Sequence, residues 1–135
     1  MTTKTFSAKV EALADVLGFI EHTLDGIECS AKIKNAICVA VEEVFVNIAC
    51  YAYGDGNGDV DLSVSFDEKS STVTFVVADR GVPFNPLEKS QPDITLSAEN
   101  RDIGGLGIFI TRKIMDDITY TCNNGKNVLT MIKRI

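Results

Sequence analysis

The chain reads as an α+β domain, a two-layer sandwich in which helices cover one face of a sheet. Two helical stretches follow one another with no strand between them, whereas the later strands fall into pairs joined by short turns. A parallel, doubly wound fold would alternate strand and helix more strictly. With 135 residues, 45% of them hydrophobic and 24% charged, the sequence provides for one core and needs no second. Residues 1–135 are therefore read as a single domain.

Residues 5–10, Thr-Phe-Ser-Ala-Lys-Val, alternate enough for a short opening strand. Leu13, Val16, Leu17, Ile20, Leu24 and Ile27 then recur at helical spacing until Asp25-Gly26 stops the helix. Ser30 is placed to cap a longer second helix reaching Tyr53, where Gly54-Asp55-Gly56-Asn57-Gly58 breaks it. There the period drops to two. Val60, Leu62, Val64 and Phe66 alternate with Asp61, Ser63 and Ser65, the pattern of a strand with one buried and one wet face. Asp67 to Ser71 turns the chain into a partner strand carrying Val73, Phe75 and Val77. Between Arg80 and Ile103 no period holds, and Pro83, Pro86 and Pro92 oppose helix, so about residues 80–103 are expected to form a lid over a pocket. A third helix opens at the glycines of 104–107 and runs through Met115. Ile118–Cys122 and Val128–Ile132, joined across Asn123-Asn124-Gly125-Lys126, close the fold as a hairpin.

Charge and composition exclude several classes of function. Thirteen Lys and Arg against nineteen Asp and Glu give a net charge of -6, which repels a nucleic-acid backbone on average. The N-terminus lacks the basic-then-apolar layout of a signal peptide, and no apolar run reaches the ~18 residues of a membrane span. A cytoplasmic protein is expected. Cys29, Cys38, Cys50 and Cys122 form no C-x-x-C pair and are expected to be inert core thiols rather than zinc ligands or disulfides. His22 falls on a polar helix face and is expected at the surface.

Three clusters carry chemistry. In the second helix, Glu43 and Asn47 are four residues apart and project from one face at the edge of an apolar stripe. A buried carboxylate or amide without a partner is costly, so the pair should look onto a cavity, water or an ion, the bland alternative being a local hydrogen bond at a helix surface. Next, Asp79-Arg80-Gly81-Val82-Pro83-Phe84 follows directly on a strand. Asp79 is then fixed at the sheet rim, able to accept a hydrogen bond from an exocyclic amino group, while Gly81 leaves room for a flat base; an ordinary Asp-x-Gly turn is the competing reading. Last, Gly104-Gly105-Leu106-Gly107 opens a helix, where free N–H groups and the positive end of the dipole suit phosphate. No Gly-Lys-Ser/Thr follows, so this is not a Walker A loop.

In order and spacing, Glu43-Val44-Phe45-Val46-Asn47, Asp79-Arg80-Gly81-Val82-Pro83-Phe84 and Gly104-Gly105-Leu106-Gly107 resemble the N, G1 and G2 boxes of the GHKL ATPases. Within that superfamily the chain looks most like the anti-sigma regulatory factor serine/threonine kinases, along nearly its whole length. The resemblance implies a Bergerat-type ATP-binding fold, a mixed, mostly antiparallel sheet with three main helices. It implies ATP and Mg²⁺ as ligands, Asn47 as the metal ligand and Glu43 as general base. Asp79 would read the adenine amino group with Gly81 packed near it, and Gly104, Gly105, Leu106 and Gly107 would cradle the phosphates. Thr130 falls where the family often places a hydroxyl beside the adenine-binding aspartate. Where some family kinases carry arginine just ahead of the glycines, this chain has Asp102-Ile103, with Arg101 nearest.

The function implied is that of an anti-sigma factor with protein serine kinase activity, which phosphorylates an anti-anti-sigma antagonist and sequesters a sigma factor. The alternative is a nucleotide-binding regulatory module that controls a partner without phosphoryl transfer. Neither nucleic acid nor membrane is an expected partner, and a homodimer through the first strand or helix is in keeping with the resemblance. A detached histidine-kinase domain is disfavoured because His22 lacks phospho-acceptor context.

Overall fold

A computed structural model describes residues 1–54, 56–83, 85, 87 and 105–135. Strand β1 (Thr2–Ser7) leads through a 3-10 turn at Val10–Ala12 into α1 (Leu13–Asp25) and α2 (Ala31–Tyr51). Then come β2 (Asp59–Asp67), β3 (Thr72–Asp79), α3 (Gly105–Ile114), β4 (Asp117–Asn123) and β5 (Lys126–Arg134). The strands form one sheet in the order β1-β2-β3-β5-β4, with every pairing antiparallel. The α+β sandwich expected from the sequence is the fold observed.

Local chemistry accounts for the boundaries. The Ser30 hydroxyl accepts the Ile33 N–H at 3.2 Å, capping α2 as its sequence implies. Asp67 turns β2 into β3 by accepting the Lys69 N–H at 3.0 Å. Asn124 and Gly125 both take positive φ, 54° and 75°, the geometry a two-residue hairpin loop requires and Asn-Gly adopts readily. The opening strand departs from expectation. It covers Thr2–Ser7 and not residues 5–10, because pairing sets Thr2 opposite Val64 and Phe6 opposite Val60; Val10 already belongs to the 3-10 turn.

Alternation divides the sheet into two faces. Val60, Leu62 and Val64 of β2, Val73, Phe75 and Val77 of β3, and Leu129 and Met131 of β5 are buried with Val16, Ile20, Leu24, Ile37, Val41 and Phe45 of the helices. The other face is hydroxyl-rich, with Thr3 Oγ1 and Ser63 Oγ 2.9 Å apart and Thr5 Oγ1 donating to Asp61 at 2.6 Å. No helix among the described residues is long and apolar enough to cross a membrane.

The cysteines need correcting. Cys29 and Cys38 are half-buried and Cys50 and Cys122 exposed, all as free thiols, so none belongs to the sealed core. Cys50 lies on the exposed side of α2 and Cys122 on the edge strand β4, so neither faces the packed layer between helices and sheet. Burial still pushes the Cys29 and Cys38 thiols up, helped at Cys38 by the charges of Glu21 and Glu42, which keeps these two poor nucleophiles. His22 is exposed, as expected.

Candidate functional site

The corner where β3 ends brings together Asp79 and Asn127, two of the buried polar side chains among the described residues. Asp79 closes the core-facing row Val73, Phe75, Val77 and remains only 7% exposed. Its Oδ1 accepts two N–H groups, from Gly81 at 2.9 Å and from Asn127 Nδ2 at 3.0 Å. Oδ2 accepts from none of the described residues. The turn-forming role that a local reading assigns to Asp79 is thus real, and it uses one carboxylate oxygen only. The other is left as a rigidly held acceptor.

Asn127, itself 5% exposed, faces Asp79 across the β3–β5 register. Its Nδ2 also lies 3.2 Å from Gly81 O and 3.4 Å from Val82 O, and its Oδ1 takes the Tyr120 hydroxyl proton. The family resemblance implies a hydroxyl beside Asp79 at Thr130 and gives no role to Asn127. That placement is corrected by the register, which sets Thr130 opposite Val76, on the face away from the helices. The signal was present in the alternation of Asn127, Leu129 and Met131, all buried, with half-buried Val128 and Thr130.

Gly81 earns its place differently from the expected one. A Cβ there would lie 2.2 Å from Ala52 O, so the missing side chain admits the end of α2 and not primarily a base. Val82 N–H donates to that same carbonyl at 2.6 Å. The Tyr53 hydroxyl accepts the Arg80 N–H at 2.9 Å while donating to Asp59 O at 2.6 Å. The backbone after Asp79 is consequently pinned through Val82, whereas the sequence suggested freedom from residue 80 onward.

Helix α2 connects this corner to α3. Its C-terminal end meets Gly81 and Val82, and its middle takes α3, through the fully buried Thr111, whose Oγ1 donates to Ala40 O at 3.4 Å. Glu43 and Asn47 lie between these contacts, about 40° apart at the ~100° per residue of an α-helix. Both are half-buried, and neither side chain has a partner among the described residues. Gly105, Leu106 and Gly107 form the first turn of α3, where backbone N–H groups lack intrahelical acceptors. Gly104 and most of the 80–103 lid lie outside the described residues.

A magnesium ion held with nucleotide phosphates needs few protein oxygens, because Mg²⁺ keeps several waters and takes one or two protein ligands beside the phosphates. The unpartnered Asn47 amide fits that requirement. No cluster of three His, Cys, Asp or Glu that would hold a metal by itself occurs among the described residues.

Similarity to known proteins follows the same elements. Residues 6–133 match the family model described as the histidine kinase-like ATPase domain. The chain is 24% identical over 135 residues to the serine/threonine-protein kinase BtrW of Bordetella bronchiseptica, covering 97% of this chain and 94% of that protein. It is 27% identical over 130 residues to the serine-protein kinase RsbW of Staphylococcus aureus, covering 89% and 80%. Among solved structures, the RsbU and RsbW domains of a Mycobacterium tuberculosis protein superpose with a TM-score of 0.64 at 15% identity over 99% of this chain. The histidine kinase domain of a blue-light activated kinase from Erythrobacter litoralis gives 0.56 at 18% identity over 91% of this chain. This chain spans 32% and 59% of those two chains, and at such identities the likeness is one of fold. The match from Phe6 to Lys133 takes in nearly all of the sheet, the three helices of the described residues and the Asp79 corner: the chain belongs to the histidine kinase-like ATPase domain family.

Proposed function

We propose that this protein binds Mg-ATP and transfers its γ-phosphoryl group to a serine of an anti-anti-sigma protein, and that it sequesters a sigma factor when that antagonist is absent. ATP binding follows from the family, and the relatives BtrW and RsbW are named as protein kinases. The observation that carries the reading to this chain is Asp79, a buried carboxylate with one oxygen saturated and the other unengaged at the end of a strand. Such a group selects a donor, and the 6-amino group of adenine is one.

Phosphoryl transfer passes through a loose transition state and asks the protein for positioning and charge neutralisation. Asn47 would hold the magnesium, which when bound neutralises phosphate charge. The first-turn N–H groups of Gly105, Leu106 and Gly107, with Gly104, would bind the phosphates. Glu43 would take the proton of the attacking serine hydroxyl as the phosphoryl group leaves ADP. Half-burial keeps Glu43 near the apolar side of α2 without sealing it from a substrate. Sigma-factor and antagonist binding, a cytoplasmic location and a homodimer are parts of the same proposal; the last is checked by light scattering over a range of concentrations.

The second reading, nucleotide-dependent regulation without transfer, draws on Asp102-Ile103 standing where some family kinases have arginine. Labelled Mg-ATP with a candidate antagonist separates the two: label on a partner serine supports the kinase, and retained nucleotide without label supports the module. Mg-ATP at 100 times its dissociation constant should add about 2.7 kcal/mol of stability. An unchanged melting temperature at saturating Mg-ATP would reject both readings.

A further inference from the structure

Buried polar side chains among the described residues are Asp79, Thr111 and Asn127. Thr111 joins α3 to α2, and Asp79 reads the base in the function proposed above. Asn127 has no part in that scheme, yet it is built into the corner more tightly than any group the scheme uses.

Its amide orientation is fixed by chemistry. Nδ2 faces three acceptors, Asp79 Oδ1, Gly81 O and Val82 O, while Oδ1 faces the Tyr120 hydroxyl. The flipped amide would set an oxygen against all three acceptors, so only one rotamer satisfies the corner. Nδ2 has two hydrogens, which serve the carboxylate and the carbonyls of the turn together. A hydroxyl in its place has one proton and would serve one of them.

We propose that Asn127, oriented by Tyr120, is a positioning residue for purine recognition: it holds the Asp79 carboxylate so that Oδ2 is the one acceptor presented to a base, and it fixes that carboxylate to the pinned Gly81–Val82 turn. The inference rests on the ATP-binding reading and extends it. Selection of a 6-amino over a 6-oxo purine then depends on a side chain that does not itself touch the base. With Nδ2 removed, Oδ1 keeps only the Gly81 N–H, and the carboxylate is free to turn. A rotating carboxylate accepts from an amino group less well and excludes a carbonyl less well.

Calorimetry on the full chain tests this, titrating Mg-ATP and Mg-GTP into wild type, Asn127→Ala and Tyr120→Phe, with melting temperatures taken without nucleotide. Asn127→Ala should weaken ATP binding by about 10- to 100-fold and GTP binding much less, since a lost hydrogen bond to a charged group is of that order. The ATP-to-GTP preference should shrink accordingly. Tyr120→Phe keeps the ring, removes the proton that orients the amide, and should reduce the preference several-fold in the same direction. Equal weakening of both nucleotides, or unchanged preference in both variants, would show Asn127 to be a structural pin and overturn the inference. Should Asn127→Ala fail to fold, Tyr120→Phe decides alone by the same criterion. A wild-type protein that binds neither nucleotide overturns the ATP reading and this inference with it, whereas a binder with unchanged preferences overturns this inference only.

Discussion

Gly81 lies directly against the final carbonyl of α2: a Cβ built on it would stand 2.2 Å from Ala52 O and 2.5 Å from the Ala52 carbonyl carbon. Backbone cannot withdraw as a flexible side chain can, and Val82 N–H is bonded to the same oxygen at 2.6 Å. Gly81→Ala should therefore cost roughly 1–3 kcal/mol, the usual range for overpacking. Urea denaturation measures the loss, and nucleotide affinity should fall beyond what unfolding explains, since the displaced turn carries the Asp79 Oδ1 partner. A variant as stable as wild type would mean that α2 and the turn separate freely.

Tyr53 pins the same turn from below. Its hydroxyl donates to Asp59 O and accepts from Arg80 N–H, linking the end of α2 to the start of β2 and to the turn that follows β3. Tyr53→Phe removes both bonds and keeps the ring that lies against Gly58. Because the hydroxyl is accessible to water, the loss should be about 1 kcal/mol, at the low end for two hydrogen bonds. Amide exchange at Arg80 should quicken while exchange at Phe75 stays unchanged; acceleration throughout β3 would contradict a local role.

The ion pair of Lys34 and Asp25, 2.5 Å apart, joins the end of α1 to the start of α2. The Lys34 ammonium beside Asp25 holds that carboxyl below its ordinary 3.8, and the Asp25 carboxylate holds Lys34 above its ordinary 10.5, each chiefly through their hydrogen bond. The depressed Asp25 contributes stability that is present above its unfolded value and lost as pH falls through its lower folded value. The raised Lys34 contributes stability that is complete below 10.5 and lost as pH rises through its higher folded value. Lys34→Met should thus differ from wild type by a small, constant amount near neutral pH, and the two should converge below pH 3.8. Parallel denaturation curves across that acid range would remove the pair from the account of acid stability. Asp25 is exposed and Lys34 half-buried, so the pair is open to water and added salt should shrink the difference at neutral pH.

The elements were legible where a single local interaction decides them. Ser30 capping, the positive-φ Asn124-Gly125 turn and the alternation of Val60, Leu62 and Val64 need no knowledge of the rest of the chain. In the candidate site, the link of Asp79 to Gly81 was legible because the motif is contiguous. What could not be read were meetings of distant segments. Asn127 is 48 residues from Asp79 and meets it only through the β3–β5 register. The approach of Ala52 to Gly81, which sets the need for glycine, likewise depends on where a whole helix ends. The opening strand slid because Phe6 is the only buried residue in it, so its own pattern fixes no register and β2 does.

Glu43 and Asn47 share one face of α2, and a structural role and a catalytic role for them predict different losses. Were they there to hold the helix, each would have a partner, and truncating either would expose a broken contact; neither side chain has one among the described residues. Asn47→Ala and Glu43→Ala should therefore unfold at nearly the wild-type urea concentration, within the ~0.5 kcal/mol usual away from packed or bonded positions. Their functional losses should then part. Asn47→Ala should abolish the Mg-dependent part of nucleotide binding, because the amide oxygen is the proposed metal ligand. Glu43→Ala should bind Mg-ATP within a few-fold of wild type and lose about 10²–10⁴ in turnover, the usual contribution of a general base. Isothermal titration with and without magnesium, set beside single-turnover transfer to a candidate antagonist, gives both quantities. Equal loss of fold in the two variants would make the pair structural, and equal loss of binding would remove the division of labour between metal ligand and base.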